Sequence, residues 1–111
     1  MESITTDQLA AMGEGAPLID VREPEEFEAG RVPWAVNIPL SELVERLDEV
    51  PADETVYVIC QAGGRSARAC EYLAREGREV VNVEGGTGEW IAEGNEVARD
   101  EEVPSGERDA Q

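Results

Sequence analysis

The sequence contains no histidine, and all nine of its basic residues are arginine, so lysine is missing too. Without an imidazole, any nucleophile in this chain must be activated by some other means. An average chain of this length would carry roughly half a dozen lysines. No basic patch is present to neutralise phosphates, which excludes nucleic acid as a partner. The only cysteines are Cys60 and Cys70, too few for a disulfide framework. No apolar run approaches the roughly 20 residues that a membrane span needs. The N-terminal stretch MESITTDQLAAM has neither a basic start nor an apolar signal core. The expectation is therefore a cytoplasmic protein with reduced thiols and no membrane partner.

What is abundant is acid. Twenty-six Asp and Glu residues give a net charge of −17 and a sequence pI near 4.1. High net charge keeps a protein soluble but makes it repel itself. At about 1 M salt the Debye length is only about 3 Å, and that repulsion is screened. Acid excess together with absent lysine resembles the cytosolic proteomes of extreme halophiles, so adaptation to concentrated salt is expected. The length of 111 residues and an apolar fraction of 41% suit one domain with a real core, expected as a monomer.

Short apolar runs alternate with helical patterns along the chain. Residues 3–6 offer a helix start before DQLAAM, and Gly13 offers its stop. PLIDV (17–21) and AVNI (35–38) read as short strands, with a short helix at 23–30 between them. SELVERLDEV (41–50) places Leu43, Val44 and Leu47 on one helical face, and Pro51 ends it. TVYVI (55–59) is a buried strand by its β-branched and aromatic content. Residues 65–76 read as a helix with Ala67, Cys70, Leu73 and Ala74 on its apolar stripe, stopped by Gly77. EVVNV (79–83) is the next strand, and GGTGEWIAEG (85–94) a glycine turn opening a short helix. Residues 1–98 form the expected domain, and 99–111 an acidic disordered tail. The alternation argues for an α/β domain, a central mostly parallel sheet with helices on both faces. Ligands of such sheets sit at the carboxyl ends of strands, which is where Cys60 falls.

The informative stretch is CQAGGRS, residues 60–66. A strand ends at Cys60, a helix begins near Ser66, and the chain between must turn sharply. Gly63 and Gly64 can take positive φ at little cost. Successive backbone N–H groups can then converge beside a helix N-terminus, an arrangement that binds anions. A thiol placed there is pulled toward thiolate, the nucleophilic form. Arg65 adds a fixed positive charge, but a guanidinium stays protonated and cannot act as base. Its expected role is to stabilise charge or hold the loop. A buried structural cysteine before an ordinary glycine turn is the competing interpretation.

Four blocks in this order resemble a single-domain rhodanese: LIDVREPEEFEAG (18–30), RVPWAVNIPL (31–40), VYVICQAGGRSARAC (56–70) and NVEGGTGEWIAEGNEV (82–97). The resemblance spans about residues 3–97. It implies a rhodanese-like fold and a thiosulfate sulfurtransferase that needs no cofactor and no metal. Cys60 would take the outer sulfur of a small anionic donor such as thiosulfate, releasing sulfite. The resulting persulfide would pass its sulfur to cyanide or a thiol. The loop residues Gln61, Ala62, Gly63, Gly64, Arg65 and Ser66 would bind that persulfide through their backbone N–H groups. A persulfide carrier in a sulfur relay with a protein partner uses the same loop, and a non-catalytic binding module is a further alternative. Rhodanese-like phosphatases have one more residue between the cysteine and the arginine than Gln61 to Gly64 provide.

The same family pattern assigns supporting roles to Asp20 and Arg22. Asp20 is expected to pair with loop or helix groups, or to form a plain structural ion pair. Arg22 is expected to contact the donor anion or an acid such as Glu23 or Glu26. Arg68 either adds positive potential or sits solvated on the surface. Trp34 stands where the family usually has a small residue, and shapes an acceptor entrance or simply packs. Cys70 falls on the apolar stripe of its helix and reads as core, with a resolving thiol as the alternative.

Overall fold

The strand signals at VYVI and VVNV fold into adjacent parallel strands, and the rest of the sheet assembles around them. A computed structural model of the chain describes residues 1–100. In chain order the elements are β1 (Ser3–Ile4), α1 (Thr6–Met12), β2 (Leu18–Asp20), α2 (Pro24–Ala29), β3 (Val36–Asn37), β4 (Val56–Ile59), α3 (Gly64–Arg75), β5 (Val80–Val83) and α4 (Gly86–Ala92). The sheet order is β1-β5-β4-β2-β3, and every pairing is parallel. Asp20 at the end of β2 is in register with Ile59 of β4, so the segments after both strands emerge side by side.

Period-2 alternation splits the core into two layers. On one face Ile19, Val21, Val56 and Val58 pack with Ala69, Cys70 and Leu73 of α3 and with Leu43 and Val50. On the other, Leu18, Ile59 and Val83 pack with Leu9 of α1 and Trp90 of α4. Helices therefore cover both faces, as the chain's alternation predicts. Trp34 packs edge-on to Trp90, with ring centroids 5.8 Å apart and planes at 84°, and donates its indole N–H to the Ala16 carbonyl. It is a packing residue.

Three expectations need correction. Residues 3–4 are a strand rather than helix, and Thr5 is the N-cap, its hydroxyl accepting the Gln8 N–H. Ser3–Ile4 pairs with Asn82 and Val83, so its strand character comes from a distant partner and not from its own pattern. Residues 41–50 are not an α-helix. Two 3₁₀ turns, Leu40–Glu42 and Leu47–Glu49, carry the chain there. The tighter winding turns Val44 out, leaving it 68% exposed while Leu43 stays buried. On α3 the buried face is Ser66, Ala69, Cys70 and Leu73, rotated away from Ala74, which is exposed. The expected tail at 99–111 lies mostly outside the described residues. Within them, the Asp100 N–H donates to the Glu28 carbonyl and its carboxylate accepts from Arg31.

Candidate active site

Cys60 follows β4 directly, and the helix α3 starts four residues later. Gly63 makes the turn with φ of 111°, the left-handed region that favours glycine. Gly64 differs from expectation. It is the first residue of α3 with no positive φ, and an added Cβ would meet nothing within 4 Å. Only one of the two loop glycines is conformationally required.

The Gly63 N–H donates to the Cys60 sulfur at 3.0 Å. Burial pushes the Cys60 thiol up, but the Ser66 hydroxyl and the N–H groups of Ser66, Gly63 and Ala62 outweigh it and pull the thiol below its ordinary range. The opposite side of the loop explains the direction of the Ala62 N–H among them. The Thr87 N–H donates to the Cys60 carbonyl (2.8 Å) and the Gly88 N–H to the Gln61 carbonyl (3.0 Å). Peptide units are planar and trans, so carbonyls held toward α4 send the N–H groups of Gln61 and Ala62 the other way. The approach is close. A Cβ on Gly86 would lie 2.5 Å from the Gln61 oxygen and 2.6 Å from the Cys60 oxygen.

Arg65 is not free beside the sulfur. Its guanidinium grips Glu26 of α2 with two hydrogen bonds, 2.8 and 2.9 Å. That pair holds the Glu26 carboxyl down at about 2. Glu26 also accepts the Glu23 N–H at the start of α2, which ties the loop to that helix. The thiol is therefore drawn down by backbone and hydroxyl donors, while the arginine serves mainly as an anchor.

Asp20 and Arg22 form a buried pair. Asp20 accepts from the Arg22 backbone N–H, Nε and Nη2 at 2.9–3.2 Å. Arg22 extends to the Gly30 carbonyl (2.8 Å) and the Gln61 side chain (3.1 Å). Of the two options for Asp20, the structural ion pair holds. Arg22 contacts neither Glu23 nor Glu26, and is instead a strut between β2, the turn after α2 and the loop. Beside it opens a cavity of about 260 Å³ lined by Arg22, Glu26, Ala29, Gly30, Gln61 and Ile91. Arg68 is exposed on the surface. Cys70 is buried, and burial pushes its thiol up to about 11, so it stays protonated in the core.

Three contributors escaped the sequence reading. From sequence Glu26 suggests itself only as a partner for Arg22. Gly86 reads from sequence only as part of the glycine turn before α4, and the signal there is the pair of adjacent glycines; its close approach to the loop carbonyls comes from the fold. Asn82 stood out as a lone amide inside VVNV, and its side chain accepts the Ser66 hydroxyl proton.

The comparisons agree with this geometry. The rhodanese-like domain family matches residues 5–93. The uncharacterized protein YqhL of Bacillus subtilis is 44% identical over 91 residues, 81% of this chain and 72% of that protein. A sulfurtransferase of Allochromatium vinosum is 35% identical over 95 residues, 85% of this chain and 89% of its own. The crystal structure of a rhodanese-related protein from Thermoplasma volcanium superposes with a TM-score of 0.84 at 40% identity, covering 88% of this chain and 98% of that one. With a parallel sheet presenting a cysteine in a ring of backbone donors and a family match over most of its length, the chain belongs to the rhodanese-like family of sulfurtransferases and sulfur carriers.

Proposed function

We propose that the protein transfers sulfane sulfur from thiosulfate, or a similar small anion, to a thiophilic acceptor through a persulfide on Cys60. The Cys60 thiolate attacks the outer sulfur of the donor. The sulfur–sulfur bond of thiosulfate breaks, and sulfite leaves with the bonding pair. A cyanide ion or a thiolate then attacks the terminal sulfur of the persulfide and expels the Cys60 thiolate. No proton has to be delivered to a leaving group, which suits a site without histidine. The observation that carries this reading is the hydrogen bond from the Gly63 N–H to the sulfur, in a loop whose first two carbonyls, Cys60 and Gln61, are held by α4.

The two arginines near the loop are each matched by a carboxylate, Arg65 by Glu26 and Arg22 by Asp20. Attraction for an anion thus comes from oriented N–H groups and the start of α3 rather than from unmatched charge. A carrier role, with sulfur received from a protein partner, uses the same persulfide and differs only in the donor.

The test is thiosulfate-to-cyanide transfer in low and in molar salt, with the intact mass recorded after thiosulfate treatment. Turnover with one added sulfur, lost in Cys60→Ser, supports the reading. Sulfur loading without turnover on thiosulfate favours the carrier role. No loading in either salt rejects both.

A further inference from the structure

Asn82 is an odd residue for its place. It lies in β5 between Val81 and Val83, is 8% exposed, and is in register with Val58 of β4. An amide there costs stability unless it is hydrogen-bonded. It accepts from the Ser66 hydroxyl, which donates to Asn82 Oδ1 at 2.5 Å. Ser66 is fully buried in the first turn of α3, and its oxygen also lies 3.2 Å from the Gly63 carbonyl.

A hydroxyl has one hydrogen to give and lone pairs that accept. The Ser66 hydroxyl can draw the Cys60 thiol down only by giving its one proton to the sulfur, and with that proton on Asn82 it has none to give. That suits a neutral thiol and is wrong for a thiolate or persulfide anion. An amide can resolve the conflict, because it carries an acceptor and a donor of nearly equal size. Turned about its Cβ–Cγ bond, Asn82 presents Nδ2–H to the Ser66 oxygen and releases the Ser66 proton toward sulfur. We propose that Asn82 is a positioning residue for Cys60: it sets whether the single Ser66 hydroxyl proton faces the amide or the sulfur, according to the charge on that sulfur. The other charged groups around the loop are already committed to each other, Asp20 to Arg22 and Glu26 to Arg65. Without Asn82 no amide N–H holds the Ser66 oxygen from the far side, and the hydroxyl proton turns to the Gly63 carbonyl 3.2 Å away instead of to the sulfur.

This rests on Cys60 sulfur carrying negative charge in turnover. Its test needs no sulfur donor, so the two ideas fail separately. The rate of Cys60 alkylation by iodoacetamide is measured against pH in wild type, Asn82→Val, Ser66→Ala and the double variant, with thermal unfolding of each. Asn82→Val turns VVNV into an all-valine strand, and its Tm is expected to hold or rise. Its alkylation below the thiol's titration is expected to fall about tenfold, as for a lost hydrogen bond to an anion. In the Ser66→Ala background the same change should do nothing further. An unchanged alkylation profile in Asn82→Val, with or without lost stability, would make Asn82 a structural residue and overturn the proposal. A fall that persists in the Ser66→Ala background overturns it too. Should Asn82→Val not fold, Asn82→Asp has the same shape but only accepts; wild-type alkylation in that variant equally overturns it.

Discussion

Gly86→Ala should damage both the fold and the nucleophile, and the structure supplies the size of the effect. Gly86 has φ of 62°, where an alanine costs roughly 1–2 kcal/mol. The new Cβ would sit 2.5–2.6 Å from the carbonyl oxygens of Gln61 and Cys60, and both belong to backbone that cannot swing aside like a flexible side chain. Relieving the clash separates α4 from the loop and strains two hydrogen bonds, Thr87 N–H to Cys60 and Gly88 N–H to Gln61. Each is worth about 1 kcal/mol net. The sum is roughly 3–4 kcal/mol, and at roughly 4–8 °C per kcal/mol Tm should fall by at least about 12 °C. Once the carbonyls rotate, the N–H groups on the far side of the same peptides leave the sulfur, so iodoacetamide alkylation at neutral pH should slow in the folded fraction. Circular dichroism melts and alkylation rates measure the two effects. Gly64→Ala is the control. Its Cβ has open space and an ordinary helical φ, so Tm should hold or rise slightly. If Gly86→Ala melts with wild type and alkylates at the same rate, the idea that α4 aims the loop is wrong.

Native protein treated with limiting iodoacetamide should gain one adduct by intact mass, on Cys60, because both thiols are buried but Cys60 is pulled toward thiolate while burial pushes Cys70 up to about 11; a second adduct at comparable rate would contradict the core assignment. Arg65 depresses the Glu26 carboxyl from 4.5 to about 2, so the pair's contribution is complete above 4.5 and is lost as pH falls toward 2. The pair is partly exposed and the effect on stability small, about 1 kcal/mol or less; Glu26→Gln should flatten that acid limb of the stability curve, and an unaltered limb would mean the pair contributes nothing. With a net charge of −17, the domain should lose stability in low salt and recover it in molar KCl, followed by thermal midpoint; indifference to salt would reject salt adaptation.

Cys60 and its loop were legible because their chemistry is local. A strand, a thiol, a positive-φ glycine and a helix start lie within one short stretch. Arg65 was located correctly, yet its partner was not, since Glu26 lies in a different helix and no spacing links them. The same holds for Asn82 and Ser66, which meet only because β5 pairs beside β4. β1 was misread for a similar reason: two residues have no periodicity, and only pairing with β5 makes them a strand. The segment 41–50 failed differently. Leucines at 40, 43 and 47 fit a 3₁₀ path between two prolines as well as they fit an α-helix, and the position that decides between them, Val44, faces solvent.

The N–H groups of α4 that hold the loop carbonyls come from residues 87 and 88, well after the cysteine in the chain. During synthesis the cysteine therefore leaves the ribosome long before the helix that organises its loop. Until α4 docks, the Cys60 and Gln61 carbonyls lack the two N–H donors that fix their direction. The order of elements thus acts as a timer, in which the loop takes its final shape only once the sheet has closed and α4 is in place.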